Sequence, residues 1–308
     1  MHGIAYSGGG GLRLAADLHG REGDPPIVFL PGAGQTRHAW RRAAAAAATQ
    51  GLRSISLDLR GHGESEWSAA GDYSLNAFVD DVLGVIHTLA EPPILVGASI
   101  GGIAALVAVG ESHGLVARGL VLVDVVPQMP GAGLDRIRAF MSAGADGFSS
   151  VDDAAATIAR FLPHRRPSGS GGGLQHNLRK GPDGRLYWHW DPAFHAGSKD
   201  RAAEGMLARM ERAACGVRIP TLLISGSRSE VVNQAGINHL LGLIPQATSV
   251  KVADAAHMVV GDENDVFNHT LSNFISHLSA SPGATAGHGT ATLDQATLQP
   301  TREHYLAR

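Results

Sequence analysis

Apolar and polar positions alternate in blocks along the first part of the chain. Ile27-Val28-Phe29-Leu30 is a continuous apolar run that stops at Pro31-Gly32, the pattern of a strand buried on both faces. An alanine-rich stretch over 40–48 then predicts a helix, since alanine costs least to hold helical. A second strand is expected over 54–59, ending at the turn Arg60-Gly61-His62-Gly63. Leu75, Phe78, Val79, Val82, Leu83 and Ile86 recur at helical spacing on one face. A strand over 94–96, a helix over 103–109 and a strand over 120–126 continue the rhythm. Strands and helices alternating at these lengths imply a parallel sheet covered on both faces.

The rhythm breaks between 127 and 215. Short helical pieces, a Gly/Ser-rich stretch over 168–173 and the aromatic cluster Tyr187-Trp188-His189-Trp190 fill this region. It resumes with strands over 221–225 and 248–252, and helices over 233–243 and 266–278. The expected organisation is therefore one α/β core from 1–126 and 216–280, interrupted by a cap insertion over 127–215. The Gly, Ala, Thr and Gln of 281–308 read as a flexible C-terminal tail.

Composition narrows the function classes. A net charge of −3 on 308 residues supplies no basic face for nucleic acid or an anionic membrane. The single cysteine, Cys215, precludes an internal disulfide and reads as a small buried or linker residue. The first residues lack the basic start and apolar core of a signal peptide, and no apolar run reaches the roughly 20 residues of a membrane span. A soluble cytoplasmic protein acting on a small molecule is expected. The sixteen histidines are scattered, without an H-E-x-x-H pattern, so neither a metal nor another cofactor is expected.

Gly97-Ala98-Ser99-Ile100-Gly101 is a G-x-S-x-G sequence. With glycine at 40 of 308 positions the motif alone means little, but here it follows a predicted strand and opens a predicted helix. That is the setting of a nucleophile elbow, in which flanking glycines permit a sharp turn that exposes the serine. Ser99 would then be the nucleophile. A hydroxyl needs a base, and His257 lies just past the last predicted strand, where functional loops of a parallel sheet gather. The base needs an acid to orient it, for which Glu230 and Asp124 both follow strands. Glu230 is favoured, because it gives the chain order serine, acid, histidine; Asp124 stays open. Oxyanion donors are expected from the backbone N–H of Ile100 and of Ala33 in the loop Pro31-Gly32-Ala33-Gly34.

Four landmarks in order resemble the α/β-hydrolase superfamily over roughly residues 1–280, in its bacterial peroxidase-like and esterase-like branch. They are Phe29-Leu30-Pro31-Gly32-Ala33-Gly34, Asp58-Leu59-Arg60-Gly61-His62-Gly63-Glu64-Ser65, the elbow at 97–101 and Ala256-His257-Met258. The resemblance implies an α/β-hydrolase fold with a helical cap, and the roles named above for Ser99, His257, Ala33 and Ile100. Two departures stand out: Pro31-Gly32 replaces the usual His-Gly, and Glu230 stands one residue beyond the commonest spacing for an acid that is more often aspartate.

The expected activity is hydrolysis of a carboxylic ester or lactone through an acyl-enzyme. A C–C bond hydrolase or perhydrolase using the same triad, and a catalytically weak ligand-binding receptor, are the alternatives. Arg37, His38, Trp188, Trp190 and His195 are the candidate substrate contacts. His164-Arg165-Arg166 reads as a solvated turn.

Overall fold

The computed structural model describes residues 2–161, 172–175, 177–196, 200–253, 255 and 265–280. The strands are β1 (His2–Ser7), β2 (Arg13–His19), β3 (Pro26–Leu30), β4 (Arg53–Leu57), β5 (Ile94–Ala98), β6 (Gly119–Val123), β7 (Leu178–Lys180), β8 (Leu186–Trp188), β9 (Thr221–Gly226) and β10 (Ala247–Val252). The helices are α1 (Arg41–Thr49), α2 (Leu75–His87), α3 (Ser99–Glu111), α4 (Gly131–Ser142), α5 (Val151–Phe161), α6 (Gly172–Gln175), α7 (Ala193–Ala196), α8 (Asp200–Ala214), α9 (Gln234–Leu243) and α10 (Asp265–Ala280).

Eight of the described strands form one sheet in the order β1-β2-β4-β3-β5-β6-β9-β10. From β4 to β10 neighbouring strands are parallel, while β1 and β2 form an antiparallel edge. The chain runs back from β3 to β4 and then crosses to β5 on the far side of β3, so the winding direction reverses around β3 and β5. Loops at the carboxyl ends of strands on either side of such a reversal leave a crevice between them, the usual ligand position in an open α/β sheet.

Burial follows from this layering. β3, β5 and β6 are buried at every residue, as expected of strands covered on both faces. On one face α2, α3, α8 and α9 pack with Val28, Leu30, Leu95, Leu120 and Leu122. On the other, α1 and α10 cover Ile27, Phe29, Val96 and Val121, with Trp40 fully enclosed between Phe29 and Phe267.

α8 falls inside the region expected to be an insertion, yet Met210, Ala213 and Ala214 join the sheet-side core. Its C-terminal end meets Gly110 of α3 so closely that a Cβ there would stand 2.0 Å from Ala213 O. The remainder of the region between β6 and β9 holds α4 to α7 and the β7–β8 hairpin, built around Met141, Phe148, Ala154, Trp188 and Trp190. Cys215, just past α8, is exposed.

The Asp58–Ser65 turn is fixed by buried polar contacts. Arg60 grips Asp81 of α2 through Nε (2.6 Å) and Nη2 (2.7 Å), and Gly9 N–H donates to the same carboxylate at 2.8 Å. Ser65 Oγ donates to Asp58 O at 2.7 Å and accepts from Ala15 N–H at 2.9 Å. Because Arg60 and Asp81 are both buried, Asp81→Ala leaves an uncompensated cation. Urea unfolding should show a loss of about 3 kcal/mol, near the lower end for a broken buried pair.

Candidate active site

Ser99 is the first residue of α3 and follows β5 directly. Its φ is +45°, a left-handed conformation that costs a non-glycine residue about 1–2 kcal/mol. The tight turn requires the flanking glycines. A Cβ at Gly97 would stand 2.6 Å from Gly102 Cα, and one at Gly101 would stand 2.5 Å from Pro31 O. The turn leaves Ser99 and Ile100 half-buried rather than enclosed. Ile100 stands in the first turn of α3, where backbone N–H groups lack intrahelical acceptors.

The loop after β3 faces this turn. Gln35 N–H donates to Gly32 O at 3.1 Å and Gly34 has φ +73°, the signature of a type II turn. Gln35 Oε1 accepts Gly32 N–H at 2.8 Å, so that amide is engaged inside the loop. A Cβ at Gly32 would lie 3.2 Å from Ser99 Cβ, which places the half-buried Ala33 beside the serine turn.

Asp124 follows β6 by one residue, as Ser99 follows β5. Ala98 and Val123 are register partners, so the serine and the aspartate leave adjacent strands side by side. Asp124 is 1% exposed and also has a left-handed φ of +51°. Gly226 N–H donates to its Oδ1 at 3.1 Å and Ser229 Oγ to its Oδ2 at 2.6 Å. The other candidate acid is placed differently. Ser229 Oγ also accepts the N–H groups of Val231 (3.2 Å) and Val232 (3.0 Å), curling the chain so that Glu230 points outward. Glu230 is exposed and pairs with Arg136 of α4 at 2.8 Å. The two candidate acids thus differ in setting: Asp124 is buried beside the serine turn, and Glu230 is exposed.

His257 lies outside the described residues, as does His164-Arg165-Arg166. The loop that carries His257 leaves β10, which is parallel to β9, at the same sheet end. Ser227 N–H donates to Val252 O at 2.9 Å and Arg228 N–H to Ala255 O at 2.8 Å. The start of that loop is thus tied to the segment that holds Asp124.

Arg37 is not available as a substrate contact. Its guanidinium is buried against Asp17 (3.1 Å), Asp58 and Glu64 (2.8 Å), and its N–H donates to Asp58 Oδ1 at 2.6 Å. Burial opposes the charge, but Asp58 and Asp17 outweigh it and hold the Arg37 pKa above its ordinary value. His38 is part-exposed, with Nδ1 3.5 Å from Asp17. Trp188 and Trp190 are buried and stacked, centroids 4.9 Å apart at 12°, and Trp188 Nε1 donates to Ala143 O at 2.7 Å. They belong to the apolar cluster of the segment between β6 and β9, and Trp190 reaches the loop at Gly34. The His195 side chain is outside the described residues. Among the described residues no group of three metal-ligating side chains occurs, and no helix is long and apolar enough to cross a membrane.

Two further histidines, His62 in the 58–65 turn and His189 just past β8, face each other. His62 is fully buried; its Nδ1 is 3.0 Å from Arg60 O, and its Nε2 has no hydrogen-bond partner among the described residues. His189 accepts Gly63 N–H at Nδ1 (2.7 Å) and stands 5.7 Å from His62, ring centre to ring centre. Burial lowers both pKa values, that of His189 to about 3 with His62 adding to the shift. For His62, the Arg60 carbonyl, Asp58 and Asp191 oppose the effect of burial without overcoming it. The unfolded chain protonates these rings below about pH 6.5 while the folded protein does not, so stability is complete above that pH and declines below it. Between pH 6 and pH 5 the His189 contribution should fall by about 1 kcal/mol. Urea unfolding of the wild type and His189→Gln at the two pH values checks this, because the substituted protein lacks that slope.

Residues 27–270 match the Alpha/beta hydrolase family. The chain is 29% identical over 225 residues to the 2-(acetamidomethylene)succinate hydrolase of Mesorhizobium japonicum, covering 72% of this chain and 77% of that one. It is 30% identical over 173 residues to an esterase of Mycobacterium tuberculosis, covering 54% and 57% of the two chains. The crystal structure of an E-2-(acetamidomethylene)succinate hydrolase superposes with a TM-score of 0.77 at 25% identity, covering 89% of this chain and all of that one. A serine on a strained strand–helix turn, on a mostly parallel eight-stranded sheet, agrees with these likenesses. The chain belongs to the α/β-hydrolase family, and it is a hydrolytic enzyme.

Proposed function

We propose that the enzyme hydrolyses a carboxylic ester or lactone through an acyl-enzyme on Ser99. The observation that carries this reading is the φ of +45° at Ser99, kept at the mouth of the sheet beside the buried Asp124. Backbone strain of this kind persists where surrounding structure enforces it, and it clusters at reacting groups. In this reading His257 takes the hydroxyl proton as Ser99 attacks the acyl carbon. Asp124 orients and stabilises the imidazolium, and the N–H groups of Ala33 and Ile100 receive the oxyanion. The alcohol leaves with the proton held by His257. Water, deprotonated by the same histidine, then releases the acid and restores the serine.

A fluorophosphonate probe with short-chain nitrophenyl esters tests the reading. The wild type is expected to label and turn over, and Ser99→Ala to do neither. Labelling that survives in Ser99→Ala would place the nucleophile elsewhere. A second reading, hydrolysis of an N-acyl enamine, is favoured by the relative whose name gives 2-(acetamidomethylene)succinate as its substrate. That compound belongs in the same assay, where turnover above the esters would select it.

A further inference from the structure

The loop beside Ser99 is not held by the core alone. His189, just past β8, donates from Nε2 to Gly34 O at 3.3 Å while its Nδ1 accepts Gly63 N–H at 2.7 Å. Those two bonds require the neutral ring with its proton on Nε2, and the depressed pKa keeps it in that state. Its neighbour Trp190 and the thioether of Met141 press on Gly34 from the same side: a Cβ at Gly34 would meet Trp190 Cζ3 at 3.2 Å and Met141 Sδ at 2.9 Å. Gly34 is the third residue of the type II turn, and Ala33 is the second. The Gly34 carbonyl lies in the Gly34–Gln35 peptide, so the grip on it and the packing on the Gly34 Cα fix that corner of the turn and, with it, the position of the loop over Ser99.

We infer that His189 is a positioning residue, which holds the 32–35 turn so that the backbone N–H of Ala33 faces the oxyanion formed at Ser99. The inference deepens the serine-hydrolase reading and rests on it. His189 itself touches no reacting atom. Its role is to lock a loop of the core with a side chain supplied by the insertion.

The test uses two substitutions that separate the two bonds. At this position the amide nitrogen of a glutamine reaches as far as the histidine Nε2, whereas the amide of an asparagine reaches only to the level of Nδ1. His189→Asn should therefore keep the link to Gly63 and lose Gly34, and His189→Gln should keep Gly34. In His189→Asn, kcat for a nitrophenyl ester should fall about 10- to 100-fold with KM nearly unchanged, somewhat less than deleting an oxyanion donor outright. Affinity for a trifluoromethyl ketone, which forms a tetrahedral oxyanion on the serine, should fall in parallel, while affinity for the product acid should not. His189→Gln should recover most of both. Equal kcat in the two variants, or a loss confined to KM, overturns the inference. If His189→Asn does not fold, His189→Gln against His189→Leu gives the same comparison. If the wild type neither labels with fluorophosphonate nor turns over, the serine-hydrolase reading itself has failed, which is a separable result.

Discussion

Ser99→Ala should lower kcat on any ester substrate by about 10^5- to 10^6-fold while leaving KM nearly unchanged, as in serine hydrolases stripped of their nucleophile. The residual rate would come from binding and from the oxyanion donors, which the substitution leaves in place. Stability gives an independent check on the same residue. Ser99 has φ +45°, and alanine at this position keeps the strain that a Cβ imposes there. Ser99→Gly removes it, so this variant should be more stable than Ser99→Ala by about 1 kcal/mol, measured by urea unfolding. An inactive but stabilised glycine variant would mean that the turn is held against its local preference for the sake of the hydroxyl. Equal stability of the two variants would mean that the strain is relieved locally.

Asp124→Asn should be nearly as damaging, with kcat lower by about 10^4-fold, because an amide cannot stabilise the imidazolium or fix the productive tautomer. Glu230→Gln should retain activity within about threefold, since it loses only an exposed pair with Arg136, a class of contact that contributes about 0–1 kcal/mol. The opposite pattern would return the acid role to Glu230. The contrast is informative because both residues follow strands at the same sheet end. They differ in burial and in what they receive: Asp124 is enclosed and accepts Gly226 N–H and Ser229 Oγ–H, and Glu230 is swung out by the Ser229 turn.

Of the strands that flank the site, β3, β5 and β9 were legible because each is a short, mostly apolar run buried at every residue, and their predicted positions, like that of the part-exposed β10, agree with the observed ones to within a residue or two. The antiparallel β1–β2 edge was not, since Gly3, Ile4, Ala5 and Ser7 of β1 are all exposed and its sequence His2-Gly3-Ile4-Ala5-Tyr6-Ser7 carries little apolar alternation. The helix expected over 103–109 begins earlier, at Ser99, because the glycines of the elbow hide its first turn from a propensity argument. At the site, the strand–turn–helix setting of Ser99 was readable from spacing and context. The surroundings of the two candidate acids were not, because they depend on which way one turn curls, and Ser229, which sets that curl, looks ordinary in sequence. Arg37 misled for a related reason: a charged residue near a functional loop suggests a ligand, and its three carboxylate partners come from 17, 58 and 64 in the chain. His62 and His189 stood out only as members of the 58–65 turn and the 187–190 aromatic cluster, and nothing in the sequence indicated that the two rings meet.

The meeting of Gly110 with Ala213 makes α3 a lever with its working end at Ser99. The two residues Ser99 and Gly110 are eleven positions apart on one helix, about 16 Å at the rise of an α-helix. Any side chain added at Gly110 would have to displace the backbone of α8 or slide α3 along its own axis. A close-packed interior transmits such a shift rather than absorbing it. Adaptation of this enzyme can therefore proceed far from its pocket, through sequence changes on a remote helix seam that retune the serine without touching the substrate.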